Sequence, residues 1–255
     1  MARHIRIGCS GWSYPHWRGR FYPEKMPARQ QFPFYASHFD TVELNNSFYR
    51  QPPIDRFKAW AAQAPAGFLF AVKGSRYVSH IKRLDVEQKS VDLVVEPALG
   101  LSEKLGPILF QFQATFHRDL PRLQRFVAML PPTPRYTLEF RHDSWLVPDV
   151  CELLKQHRIA LCIPDHPKMP RRFEITSDFT YVRMHLPQRG LGYGRRALEP
   201  WAERVLDWQQ AGCDVFVYFN NDMEGHAVKD AATLKELVGQ TGAAVRERSR
   251  NAGGQ

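Results

Sequence analysis

Tyr136-Thr137-Leu138-Glu139-Phe140-Arg141, then Val150-Cys151-Glu152-Leu153-Leu154, then Ile159-Ala160-Leu161-Cys162-Ile163 read as strand, helix, strand. The outer two runs are short and dense in aliphatic or aromatic residues, as strands buried on both faces are. Between them Val150, Leu153 and Leu154 recur at helical spacing. The same alternation extends in both directions. Further β-rich runs are Ile5–Cys9, Thr41–Asn45, Phe68–Lys73, Pro107–Gln111, Phe179–His185 and Val215–Asn220. Apolar stripes with helical spacing are Ile54/Phe57/Trp60/Ala61, Leu120/Leu123/Phe126/Val127/Leu130, Leu198/Trp201/Val205/Trp208 and Ala227/Ala231/Leu234/Val238.

Repeated strand–helix alternation predicts an α/β fold, a parallel sheet with helices packed outside it. Eight strands in 255 residues have the count and size of a closed (β/α)8 TIM barrel. A doubly wound open sheet is the competitor, but no Gly-rich phosphate loop follows any strand. Gly8-Cys9-Ser10-Gly11 lacks the spacing and the helix behind it, so no nucleotide cofactor is implied. Pro164, Pro167 and Pro170 crowd the stretch between the sixth and seventh strands, where an irregular unit is expected in place of a helix. No linker divides the chain. One barrel domain is expected over 1–245, with a disordered polar tail over 246–255.

Lys plus Arg number 35 against 26 Asp plus Glu, a formal net charge of +9. That excess admits an anionic partner, a small molecule or a nucleic acid. No apolar run approaches the roughly 20 residues of a membrane span, so no membrane partner is expected. Met1-Ala2-Arg3-His4 leads straight into a strand with no signal-peptide core. Cys9, Cys151, Cys162 and Cys213 form no close pair, which excludes a disulfide framework and fits a reducing cytoplasm. A monomeric cytoplasmic protein is the expectation.

A parallel barrel places its active site at the carboxyl ends of its strands. Here those ends are polar. Strand one runs into Ser10, Trp12, Tyr14 and Trp17, and strand two carries Glu43 and Asn45 on one face. Strands three and four end in Lys73 and Gln111. Strand five carries Glu139 and Arg141, strand six runs into Asp165 and His166, strand seven carries Arg183 and His185, and strand eight ends in Asn220-Asn221-Asp222. Buried ionised groups need partners or a solvated pocket, so these residues predict one convergent polar site.

Several strings occur together in order: Gly8-Cys9-Ser10-Gly11-Trp12-Ser13-Tyr14-Pro15-His16-Trp17, Val42-Glu43-Leu44-Asn45-Asn46-Ser47-Phe48-Tyr49, Leu109-Phe110-Gln111-Phe112, Leu138-Glu139-Phe140-Arg141-His142, Tyr181-Val182-Arg183-Met184-His185 and Val217-Tyr218-Phe219-Asn220-Asn221-Asp222. With them the chain resembles the YecE-like family, domain of unknown function 72, from Ile5 to about Leu237. The resemblance implies a TIM barrel and, since the family has no assigned activity, no chemistry. Two departures fall on one loop. Leu186-Pro187 stands where a Gly usually follows Arg-x-His, and the usual Tyr-rich stretch is reduced to Gly192-Tyr193-Gly194-Arg195-Arg196.

The residues themselves favour an enzyme acting on a phosphate-containing or otherwise anionic substrate. Lys73, Arg141 and Arg183 would bind the anion. Glu43 or Glu139 would serve as general base and His185 as general acid. Asn45, Gln111 and Asn220 would orient the substrate, and Trp12 and Tyr14 would offer flat surfaces to a ring. A variant puts a divalent metal on Glu43, Glu139, Asp165 and His185 in a hydrolase or isomerase; no local ligand motif supports it, and it is not favoured. A glycosidase using Glu43 and Glu139 ranks lower, because positive charge beside them disfavours an oxocarbenium ion. From another class, a non-catalytic nucleic-acid-binding protein would use Arg171-Arg172 and Arg195-Arg196 on loops around the barrel mouth. Two carboxylates at the centre of the site argue against that reading.

Overall fold

Side chains that alternate along the strands part into two packed cores, and a closed barrel divides them. The computed structural model describes residues 4–252, and their side chains as far as Gly239. Strands β1 (Ile5–Cys9), β2 (Thr41–Leu44), β3 (Leu69–Lys73), β4 (Leu105–Gln111), β5 (Tyr136–Glu139), β6 (Ala160–Asp165), β7 (Phe179–Met184) and β8 (Asp214–Phe219) close into a parallel barrel in chain order. Five register pairs join β8 back to β1. Outside lie α1 (Ala28–His38), the single turn α2 (Asn46–Tyr49), α3 (Ile54–Gln63), α4 (Gln88–Ala98), α5 (Leu120–Met129), α6 (Pro148–Gln156), α7 (Gly194–Gln210) and α8 (His226–Ala252). This is the (β/α)8 architecture the alternation predicts.

The inner core holds Ala71, Leu109, Ala160, Cys162, Phe179, Tyr181, Phe216 and Tyr218. Their strand neighbours of opposite parity, such as Val72, Ile108, Leu138, Leu161, Val182 and Val217, point outward onto the helix stripes. Phe57, Leu123, Phe126, Leu154, Val205 and Leu234 meet them there, all essentially sealed from solvent. Each such side chain stabilises the fold by roughly 1.5–3 kcal/mol relative to exposure. Cys9, Cys151, Cys162 and Cys213 are buried free thiols.

The β1–β2 seam is made differently from the others. Only Cys9 and Val42 are register partners. The hydroxyl of Tyr35, from α1, is inserted there: it accepts from the Cys9 N–H at 2.8 Å and donates to the Thr41 carbonyl at 2.9 Å. Gly8 permits this, since a Cβ would stand 2.2 Å from the Thr41 oxygen.

Between β6 and β7 no helix forms, as the prolines predict. Thr176 substitutes a side chain for a missing ladder partner, accepting from the Leu161 N–H at 2.8 Å and donating to the Ile159 carbonyl at 2.7 Å. The guanidinium of Arg204 stacks 4.0 Å over Phe173, tying this segment to α7.

Three differences from the sequence reading concern helices. The expected stripes omit α1 and α4; α1 mixes apolar with polar residues around Pro33, and Pro97 ends the Val91/Val94/Val95/Ala98 face of α4. Helix α7 begins at Gly194, so Arg195 and Arg196 lie in its first turn and not on a loop. The backbone of α8 runs to Ala252, through most of the segment expected as a tail, and residues 253–255 lie outside those described. No helix among the described residues is long and apolar enough to cross a membrane.

Candidate functional site

Because inward residues alternate, each strand that ends in a polar pair stacks those groups in layers inside the barrel. In the deepest polar layer the hydroxyls of Thr41 and Tyr218 meet at 2.6 Å. Above it lies the centre of the site. Arg183 grips Glu43 twice, with Nη2 to Oε1 at 2.7 Å and Nε to Oε2 at 3.0 Å, and donates through Nη1 to Glu139 Oε2 at 2.8 Å. All three side chains are at most 1% exposed. Ser10 and Tyr181 donate their hydroxyls to the two oxygens of Glu43, each at 2.7 Å. Every lone-pair position of Glu43 is therefore occupied, and none is left to take a proton from a ligand.

Burial alone would raise both carboxyls, but the Arg183 charge overrides it. Glu43 is held below the usual carboxylate range and Glu139 well below it, the latter helped by Arg141. Arg183 is correspondingly held above its ordinary value, burial notwithstanding, by Glu43 and Glu139.

The next layer faces the opening. Arg141 donates Nε to Glu139 Oε1 at 2.7 Å, and its side chain is 24% exposed. His185 Nε2 lies 3.5 Å from the same oxygen, while the Asn220 amide lies 3.1 Å from its Nδ1. Burial pushes the imidazole down, only partly offset by Glu139, so it is held in its neutral form. With Asn220 donating to Nδ1, the ring proton sits on Nε2, facing Glu139. Gln111 is nearly buried and donates to the Phe112 carbonyl at 2.6 Å. Lys73 is half-buried, its Nζ 4.1 Å from the centroid of the Phe48 ring. Burial first, and Arg183 second, lower its amine from 10.5 to about 8.

Trp12, Tyr14 and Asn45 lie to one side of the charged centre, where they line a cleft of about 220 Å³ with Trp60. Trp12 also packs against Phe32 and Trp60, and Tyr14 against Trp17, with the Tyr14 hydroxyl donating to the Ser10 carbonyl. Three polar atoms at the strand ends are buried without a hydrogen-bond partner, Asn45 Oδ1, His185 Nε2 and Asn221 Oδ1. Such atoms are costly unless a ligand or water satisfies them.

The structure thus gathers Glu43, Glu139, Arg183, Arg141, His185, Asn220, Lys73 and Gln111 at one end of the barrel, and sets Trp12, Tyr14 and Asn45 on its rim. The carboxylates weighed as metal ligands are used otherwise: Glu43 and Glu139 hold Arg183, and Asp165 accepts from Arg171. Among the described residues no three His, Cys, Asp or Glu side chains gather as a metal site. Three of the four Arg residues considered for nucleic acid are also engaged. Arg171 pairs with Asp165, Arg172 with Glu174 and Arg195 with Glu236.

Sequence reasoning passed over Tyr181, although its place two residues before Arg183 puts both on the inward face. It also passed over Phe48 as the surface under Lys73, and over Asp230. Asp230 in α8 accepts from the backbone N–H groups of Tyr193 and Gly194 and from Asn221, fixing the loop where the two family departures fall. No local pattern marks such a residue.

Solved relatives share this architecture. The crystal structure of a DUF72 family protein from Thermotoga maritima superposes with a TM-score of 0.80 at 26% identity, covering 92% of this chain and 99% of that one. A DUF72 family protein from Enterococcus faecalis, at 23% identity, shares the fold with a TM-score of 0.78. By sequence the chain is 28% identical to the UPF0759 protein YunF of Bacillus subtilis over 92% of its length and 94% of YunF. It is 32% identical to the UPF0759 protein YecE of Escherichia coli K12, covering 81% of this chain and 82% of YecE. The family described as "Protein of unknown function DUF72" matches residues 6–253, and the chain belongs to that family.

Proposed function

We propose that the barrel mouth binds a small anionic molecule, such as a phosphate- or carboxylate-bearing metabolite, and carries out proton-transfer chemistry on it. One observation carries this reading. Three cationic side chains, Lys73, Arg141 and Arg183, face only two carboxylates, Glu43 and Glu139, so one positive charge at the mouth lacks a protein counter-ion. An uncompensated charge in a partly desolvated site favours an anion far more than the same charge in water does.

The roles divide by depth. Arg183 and Glu43, fully committed to one another, are the foundation. Arg141 and Lys73 face the opening and would engage the anion, Arg141 through the guanidinium edge not used by Glu139. His185, adjoining Glu139 and neutral near physiological pH, is the acid–base group, with Asn220 setting its tautomer. The cleft of Trp12, Tyr14 and Asn45 would receive the uncharged part of the molecule.

Binding of inorganic phosphate and sulfate, read by calorimetry and by the shift in melting temperature, tests this reading. The wild-type protein should be stabilised by millimolar anion, and Lys73→Met should lose most of that effect while remaining folded, because Lys73 holds no carboxylate. Equal stabilisation of both proteins, or none in either, would refute it.

A further inference from the structure

Among the charged groups at the centre of the mouth, Lys73 alone is not tied to an oppositely charged side chain. Arg183 is held by Glu43 and Glu139, and Arg141 by Glu139. Lys73 instead ends β3 with its Nζ over the face of Phe48. Phe48 stands edge-on to His80, ring centroids 4.8 Å apart. The strand end is fixed from behind, where Ser47 donates its hydroxyl to the Lys73 carbonyl at 2.6 Å. The charged groups around the amine are Glu43 from β2, Arg141 and Glu139 at the end of β5, Arg183 from β7, and His80 beyond β3.

We propose that the Lys73 amine is a covalent nucleophile, forming an imine with the carbonyl group of a small anionic oxo compound of the 2-oxo-acid class. The inference rests on the anion-binding reading above, with Arg141 holding the acid group while Lys73 meets the carbonyl carbon. An amine can attack only when unprotonated, and lysines become nucleophilic when desolvated or set beside another cation. Lys73 meets both conditions. Burial and the Arg183 charge bring it to about 8, so free amine is present near neutral pH. His80, lowered to about 4 by burial and by the Lys73 charge, stays neutral and adds no further charge to repel a protonated intermediate.

The step balances without an oxidant or a second reactant. The nitrogen lone pair forms a bond to the carbonyl carbon, and the carbonyl π pair moves to oxygen, which is protonated to give a carbinolamine. That oxygen then departs as water, carrying in sum the two protons of the amine. A carbon–nitrogen double bond replaces the carbon–oxygen one.

The test uses the wild-type protein, so no variant need fold. Glyoxylate, an anionic carbonyl compound, is added with sodium cyanoborohydride, and the sites of reductive modification are mapped by peptide mass spectrometry. Lys73 should be modified about 10-fold or more faster than the exposed Lys58, as expected for a desolvated nucleophilic amine. Its rate should fall as pH drops through about 8. Sulfate should protect Lys73, and neutral acetaldehyde should show a weaker preference for it. Labelling of Lys73 no faster than Lys58, with sulfate still stabilising the protein, would overturn the imine and leave anion binding intact. Fast labelling by both carbonyl compounds with no sulfate protection would overturn the proposed substrate class, and the anion reading with it.

Discussion

Arg183 and Glu43 meet edge to edge inside the barrel, Nη2 to Oε1 at 2.7 Å and Nε to Oε2 at 3.0 Å, with neither side chain more than 1% exposed. The pair joins strands that lie apart in the barrel, β7 and β2, and the third guanidinium nitrogen reaches β5 through Glu139. Removing one partner of a buried pair leaves the other charge unpaired, at a cost of about 3–5 kcal/mol. Arg183→Met strands Glu43 and leaves Glu139 with Arg141 as its one guanidinium partner, and should fall within that range in urea unfolding. Arg183→Lys, which keeps the charge but loses the fork, should cost less. A loss under about 1 kcal/mol for Arg183→Met would mean the carboxylates find other partners.

Two buried tyrosines make a matched pair of tests. Tyr35→Phe removes the hydroxyl that joins Cys9 to Thr41 and leaves a strand N–H and a strand carbonyl unsatisfied, so it should destabilise by about 1–3 kcal/mol. The hydroxyl of Tyr136 is buried with no hydrogen-bond partner. Tyr136→Phe should therefore be neutral or stabilising in the same denaturation assay. Reversal of this order would refute the account of the β1–β2 seam.

Anion binding should weaken as pH rises. Lys73 is lowered to about 8 in the folded protein from 10.5, and an anion favours its charged form. Above about 8 the anion must draw a proton onto the amine, so affinity for phosphate falls and binding is coupled to proton uptake. Calorimetry in buffers of different ionisation enthalpy measures that uptake directly; it should vanish in Lys73→Met. Without anion the unfolded chain binds more protons than the folded one between about 8 and 10.5, so this group makes stability rise with pH there.

Acid should destabilise the protein in two stages. His80 is lowered from 6.5 to about 4, so between those values the unfolded state takes up the proton and stability falls. His185 and His166, also lowered, act in the same direction. Below 4.5 the depressed Glu43 and Glu139 add a second loss as pH descends towards their folded values. Unfolding free energy measured against pH should show both, and His80→Gln should shrink the first without moving the second.

Asp230 accepts from Tyr193, Gly194 and Asn221, so Asp230→Ala frees two backbone donors where the loop enters α7. Hydrogen bonds to a charged acceptor contribute about 1.5–3 kcal/mol, or roughly 10- to 100-fold in a local opening equilibrium. Trypsin cleavage after the exposed Arg189 should accelerate by about that factor. An unchanged rate would show that the loop is held elsewhere.

The barrel was legible because both signals involved are local. Short dense apolar runs and helical apolar spacing place Tyr136–Glu139, Pro148–Gln156 and Ala160–Asp165 within a residue or two of where they stand. Helix α1 escaped because its mixture of Gln31, Phe32 and Tyr35 carries its buried face on a polar residue as well as apolar ones.

By itself, then, the sequence determined that eight strands alternate with helices and that Glu43, Lys73, Gln111, Glu139, Arg183 and their neighbours gather at one end, since chain direction and residue parity dictate both. Only the tertiary structure decided which charge neutralises which. Arg183 finds Glu43 140 residues away and Glu139 44 residues away, and Tyr35 reaches across the β1–β2 seam. Such pairings depend on closure of the barrel, which sets distances that no sequence spacing encodes. Closure also separates a saturated Glu43 from a neighbouring Lys73 that no carboxylate holds, although each began as one more polar residue at the end of a strand.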